Sequence, residues 1–136
     1  MGYRDPHIQV YTRVDNDTID RFRLARDVLG LSVSFIFQTG IELWLFNTEW
    51  QTWAFKQIEE RRVMLVMRDV LPSQIHTTRL ASMIPAPLHR DFFASLSEHG
   101  ASMQDVLSLI VDEFCFNPSF RSYVAGDSSA LDPNYG

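Results

Sequence analysis

One cysteine in 136 residues, Cys115, excludes an intramolecular disulfide, and a chain without such staples suits a reducing cytoplasm. Lysine is almost missing: eleven of the twelve basic residues are arginine, and Lys56 is the exception. Long apolar runs are missing too. The longest, residues 43–46 and 63–67, fall far short of the roughly twenty residues needed to cross a bilayer, so no membrane association is expected. The polar, charged residues 1–9 predict no signal peptide. His7, His76, His89 and His99 have neither metal-ligand spacing nor cysteine neighbours, so no metal or other cofactor is expected. Glu59-Glu60 and Asp112-Glu113 are adjacent pairs, and adjacent side chains on a helix diverge by about 100°, which excludes a catalytic dyad. Phosphate loop, nucleophile elbow and dinucleotide fingerprint are all lacking. An enzyme is not expected.

What is present suits a packed globule. The apolar share is 46% and the aromatic share 12%, and a chain this long buries roughly two-thirds of its unfolded surface. The net charge of −5 repels nucleic acid at long range. That charge is uneven: residues 1–46 carry five basic and six acidic side chains, residues 47–72 four of each, and residues 73–136 three and seven. Any contact with DNA must come from a local patch, with the first half the better place for it.

The chain repeats itself. An offset of seventy lays residues 8–47 over 78–117 without a gap. Phe22 meets Phe92, Gly30 meets Gly100, Ser32 meets Ser102, and Phe46-Asn47 meets Phe116-Asn117. Apolar character persists at Val10/Leu80, Val14/Ile84, Ile36/Val106, Phe37/Leu107, Ile41/Val111 and Trp44/Phe114.

Both copies parse alike. Ile8, Val10, Thr12 and Val14 alternate with Gln9, Tyr11 and Arg13, which predicts a half-buried strand. Asp15-Asn16-Asp17 supplies helix N-caps, a helix through Ile19 and Phe22 follows, and Gly30 suits its C-terminal cap. Ser32 caps a second helix from Val33 through Phe35, Ile36, Leu43 and Trp44. In the second copy a strand covers 78–84, and Pro85-Ala86-Pro87 opens a helix, where proline is tolerated. Leu88, Phe92 and Leu96 line that helix, Gly100 ends it, and Ser102 caps the last one, with its stripe of Met103, Val106, Leu107, Ile110, Val111 and Phe114. Four segments follow: a first unit (1–47), a helical connector (48–72) that could run on from the preceding helix, a second unit (73–117), and a loosely ordered tail (118–136) rich in serine, glycine and proline. In the connector, Trp50, Trp53, Ala54, Ile58 and Leu65 fall near one helical face.

This pattern resembles the ribbon-helix-helix family of Arc- and MetJ-like DNA-binding proteins. The residues that carry the resemblance are the strand's final apolar residue (Val14, and Ile84 followed by Pro85), the sixteen-residue step from there to the turn glycine in both copies, and the turns Gly30-Leu31-Ser32 and Gly100-Ala101-Ser102. It covers about eighty residues. The resemblance implies a mostly α fold with a short two-stranded antiparallel ribbon, paired inside one chain as a tandem pseudo-dimer, or between chains as a homodimer. It further implies a cytoplasmic, sequence-specific regulator of transcription, a repressor, whose ribbon enters the major groove of double-stranded DNA. Gln9, Tyr11, Arg13 and Arg79 would then read bases, and Ser32, Ser34 and Ser102 would bind phosphate.

Other readings stand beside these. The outward face of the first strand also suits a solvated edge, and the serines are helix caps in any case. Ala81 and Met83 are poor readers, which leaves a non-palindromic target, or a second copy that only completes the fold. The fold could instead serve as a protein-binding module, antitoxin-like or a viral inhibitor of a host protein. Its partner would meet either the tail with Phe120, Tyr123 and Tyr135 or a surface at Trp50 and Trp53. Packing is the plainer role for those tryptophans, and a buried small hydrophobe the plainer role for Cys115.

Overall fold

The computed structural model describes residues 6–68 and 76–131. It is mostly helical, with one two-stranded antiparallel sheet: β1 (His7–Asp15), α1 (Asn16–Leu29), α2 (Val33–Phe46), α3 (Thr48–Arg68), β2 (Thr77–Pro85), α4 (Ala86–His99), α5 (Met103–Phe116) and α6 (Pro118–Val124). The first three elements recur seventy residues on with identical lengths. So do their punctuation marks. Gly30 and Gly100 end α1 and α4 at φ 68° and 65°, a left-handed conformation that costs glycine little. Ser32 and Ser102 cap α2 and α5 through their side chains. Asp15 caps α1, its carboxylate accepting from Thr18 N at 3.0 Å and Thr18 Oγ1 at 2.7 Å.

The strands pair from His7↔Pro85 to Asp15↔Thr77, with Tyr11 opposite Ala81 at the centre. This register is unchanged when the strands are exchanged at the seventy-residue offset: Gln9 faces Met83 and Arg79 faces Arg13. The flanking backbone bonds follow the same rule, Asn16 N donating to His76 O and Ala86 N to Pro6 O. Beneath the sheet, Val10, Val14, Leu80 and Ile84 join one core with Phe22, Phe37, Trp44, Phe92, Leu107 and Phe114, and Thr12 is buried on the same face. Each large side chain fully buried there contributes roughly 1.5–3 kcal/mol.

Three contacts unite a residue with the one seventy positions on. Tyr11 lies opposite Ala81. A Cβ on Gly40 would stand 2.5 Å from Ile110 Cδ1, so α2 and α5 meet where only glycine fits. Trp50 stacks on Phe120 with ring centroids 6.1 Å apart.

Several expectations need revision. The connector helix does not run on from α2, because Asn47 breaks the chain at an extended backbone (φ −114°) and its side chain caps α3, accepting from Trp50 N at 3.0 Å. Residues 118–124 form α6 instead of a loosely ordered tail. Asn117 accepts from Ser119 N and Phe120 N, Pro118 sits in the first turn, and Phe120 and Val124 are buried. Tyr123 packs partly buried against the core, while Tyr135 lies outside the described residues. Trp50 is fully buried and Trp53 half-buried, which agrees with the packing role expected for them and leaves no partner surface at that place. Ile8 and Phe35, both read as apolar-face residues, are exposed, as is Leu65 on α3.

Candidate nucleic-acid interface

Strand alternation sends odd-numbered side chains of both strands away from the helices. The outward face therefore presents Gln9, Tyr11 and Arg13 from β1 beside Arg79, Ala81 and Met83 from β2. It holds two guanidinium groups and no carboxylate between Gln9 and Arg13, on a chain whose net charge is −5. Asp15 stands at the strand's end, where the Thr18 backbone hydrogen bond holds its carboxyl below the ordinary value. That keeps Asp15 charged and turned into its cap.

Three of the expected readers form one cluster. The Arg79 guanidinium lies over the Tyr11 ring, 4.1 Å from its centroid, and Arg79 Nη2 donates to Gln9 Oε1 at 3.3 Å. A cation over an aromatic face at this range contributes roughly 0.5–1 kcal/mol at an exposed site. Tyr11 itself is 48% exposed. Arg13 lies directly across from Arg79, and its side chain makes no hydrogen bond or ion pair among the described residues. Like charges placed opposite one another destabilise a strand pair, and an anion laid over the ribbon would relieve the strain. Met83, 44% exposed, stands opposite Gln9.

The three serines fare differently. Ser32 Oγ accepts from Phe35 N at 3.1 Å, and no acidic residue occupies the first turn of α2. Ser34 is spoken for: its hydroxyl donates to Met83 O at 2.7 Å and accepts from Gln38 Nε2 at 2.8 Å, binding α2 to β2. Ser102 belongs to a capping box, in which Asp105 N donates to Ser102 Oγ at 3.1 Å and Ser102 N donates to Asp105 Oδ2 at 3.0 Å. Arg62, from α3, pairs with the same carboxylate. Burial pushes Asp105 upward, but the Ser102 hydrogen bond and Arg62 outweigh it, leaving its pKa below the ordinary value. A carboxylate thus occupies the place an anion would take at α5. Sequence reading had the signal for half of this, since Ser102-x-x-Asp105 is a capping-box pattern. Arg62, forty-three residues away, had no local signal.

Among the described residues no group of three or more histidine, cysteine or acidic side chains is placed to hold a metal. Nor, among the described residues, is any single helix long and apolar enough to cross a membrane. Cys115 is half-buried, and burial raises its thiol pKa to about 12, far from the thiolate a nucleophile requires. The chain matches no family model, no curated protein and no solved structure.

Proposed function

We propose that this chain is a tandem ribbon-helix-helix pseudo-dimer that binds double-stranded DNA in a sequence-specific manner and acts as a transcriptional regulator, a repressor. One observation carries the reading: between Gln9 and Arg13 the outward face of β1–β2, open among the described residues, concentrates Gln9, Tyr11, Arg13 and Arg79 and no acid, on an otherwise acidic protein. A major groove about 12 Å wide admits such a ribbon. Arginine pairs bidentately with guanine and glutamine with adenine, each giving roughly 1–3 kcal/mol of discrimination. Support for the pseudo-dimer comes from the symmetric register and from the three self-contacts at the seventy-residue offset. Of the serines, Ser32 is the best placed to add a phosphate contact, because Ser34 is tied to Met83 and Ser102 faces Asp105.

Mobility-shift titration against genomic fragments tests the proposal. Parent protein should retain specific fragments, Arg13→Ala and Arg79→Ala should weaken binding about tenfold or more, and affinity should fall steeply with salt as counterions are released. Retention unchanged in both variants would remove the ribbon from the role.

A second reading, a protein-binding module, draws on α3. Its last turns expose Val63, Met64, Leu65, Val66 and Met67 together, a patch of the kind that marks partner surfaces. Affinity capture with the full chain and with Val66→Asp separates the two. A stoichiometric protein partner lost in that variant, with no DNA retained, would favour the module.

A further inference from the structure

The two ends of the ribbon differ in chemistry, and they differ at positions that exchange under its own symmetry. Strand exchange at the seventy-residue offset maps Gln9 on Arg79, Tyr11 on Ala81 and Arg13 on Met83. Gln9 and Arg79 meet each other over Tyr11 at the centre. Arg13 and Met83 do not meet, because they stand at opposite ends of the outward face. One end therefore carries an unpaired guanidinium and the other a thioether. The helix turns beside each end repeat the contrast. The first turn of α5 lies by Thr12, whose hydroxyl donates to Gln104 O at 3.4 Å, and carries Asp105 with its partner Arg62. The first turn of α2 lies by Met83, through the Ser34 bond, and carries Phe35, 48% exposed, at the position equivalent to Asp105. Charged groups gather at one end and apolar groups at the other.

We infer that the duplex this ribbon reads is non-palindromic, with Arg13 contacting guanine edges in one half and Met83 contacting thymine methyl groups in the other. The inference rests on the DNA-binding reading above. A symmetric operator would require both halves to satisfy the same side chain, and no base edge serves both. Guanidinium needs the paired acceptors of guanine, while a thioether gains from the thymine methyl and leaves guanine's acceptors unmet. The central Gln9–Tyr11–Arg79 cluster straddles the axis and contributes to both halves.

Selection of bound sequences from a random duplex pool by the full chain, at one fixed salt concentration, tests it. The expected consensus lacks two-fold symmetry, with guanine preferred in one half and A·T in the other. Arg13→Ala should relax the guanine preference about tenfold or more and leave the second half as it was. Met83→Arg should shift selection towards a palindrome made from the guanine-bearing half. A palindromic consensus from the parent protein overturns the inference, and so does an equal loss in both halves from Arg13→Ala. Failure to retain any duplex at low salt is a separate result, which removes the DNA-binding reading and this inference with it.

Discussion

Adding one methyl group at Gly40 tests the packing of the whole molecule. An alanine Cβ there would lie 2.5, 2.6 and 2.8 Å from Cδ1, Cγ1 and Cγ2 of Ile110, where carbon pairs prefer about 3.5–4.0 Å. Three carbons on one fully buried side chain would have to retreat into an interior that is close-packed in general. Helix propensity opposes the damage, since alanine gains about 1 kcal/mol over glycine in a helix interior. Overpacking costs typically about 1–3 kcal/mol and sometimes more, and three simultaneous clashes place this site at the upper end. Gly40→Ala should therefore lose about 1–3 kcal/mol net, lowering Tm by about 3–10 °C for a domain of this size.

The pair decides the interpretation. Ile110→Ala alone should cost about 2–5 kcal/mol by leaving a cavity, yet it also removes all three atoms that Gly40→Ala strikes. Combining them should cost less than the sum, with a coupling of about 1–3 kcal/mol. Because the two positions are equivalent under the repeat, the exchange Gly40→Ile with Ile110→Gly should also be more stable than Gly40→Ile alone. Urea unfolding followed by circular dichroism reads the parent and all five variants. Gly40→Ala as stable as the parent, or strictly additive costs, would refute the close approach of α2 and α5.

Other consequences are simpler to state. Asp105→Asn should destabilise by about 1 kcal/mol at pH 7 by loss of a cap; because the folded pKa is lowered, the parent's advantage over this variant is full above the ordinary carboxyl value and fades as pH falls through the folded one, so a gap in urea midpoints that narrows steadily as pH falls below the ordinary carboxyl value would agree. Cys115, with its thiol raised to about 12, should resist alkylation at pH 8 in the folded protein and react promptly in denaturant. Ending the chain at residue 117 should cost several kcal/mol, because it strips the buried Phe120 and Val124 from the core; a truncated protein with an unchanged melting temperature would contradict the packing of α6.

Local chemistry explains why so much of the fold was legible. Strand alternation in Ile8–Val14, the capping serines and the two left-handed glycines each act within a few residues, so sequence spacing is enough to read them. α6 was readable too: the identity at Asn47/Asn117 extends three residues on to the aromatic pair Trp50/Phe120, and continuing the repeat past residue 117 yields the helix. Distant partners left no such trace. Nothing near Ser34 names Met83 O as its acceptor, and nothing near Arg61 or Arg62 names Asp112 and Asp105.

The repeat also explains which positions had to diverge. Most residues of one copy occupy a site of their own, and the equivalent residue occupies a matching site elsewhere, so both can stay large and apolar, as Phe22 and Phe92 do. A residue that touches its own equivalent must share one space with it. Two isoleucines cannot fill the gap where α2 meets α5, hence Gly40 against Ile110. At the ribbon's centre Tyr11 stands opposite the small Ala81, and its ring face is covered by Arg79. Flat rings escape the rule by stacking, as Trp50 and Phe120 do. Arg13 and Met83 never touch, so sharing of space does not require them to differ. Packing leaves the two free to differ, and on the proposed DNA-binding reading an asymmetric duplex lying along the ribbon would use that difference.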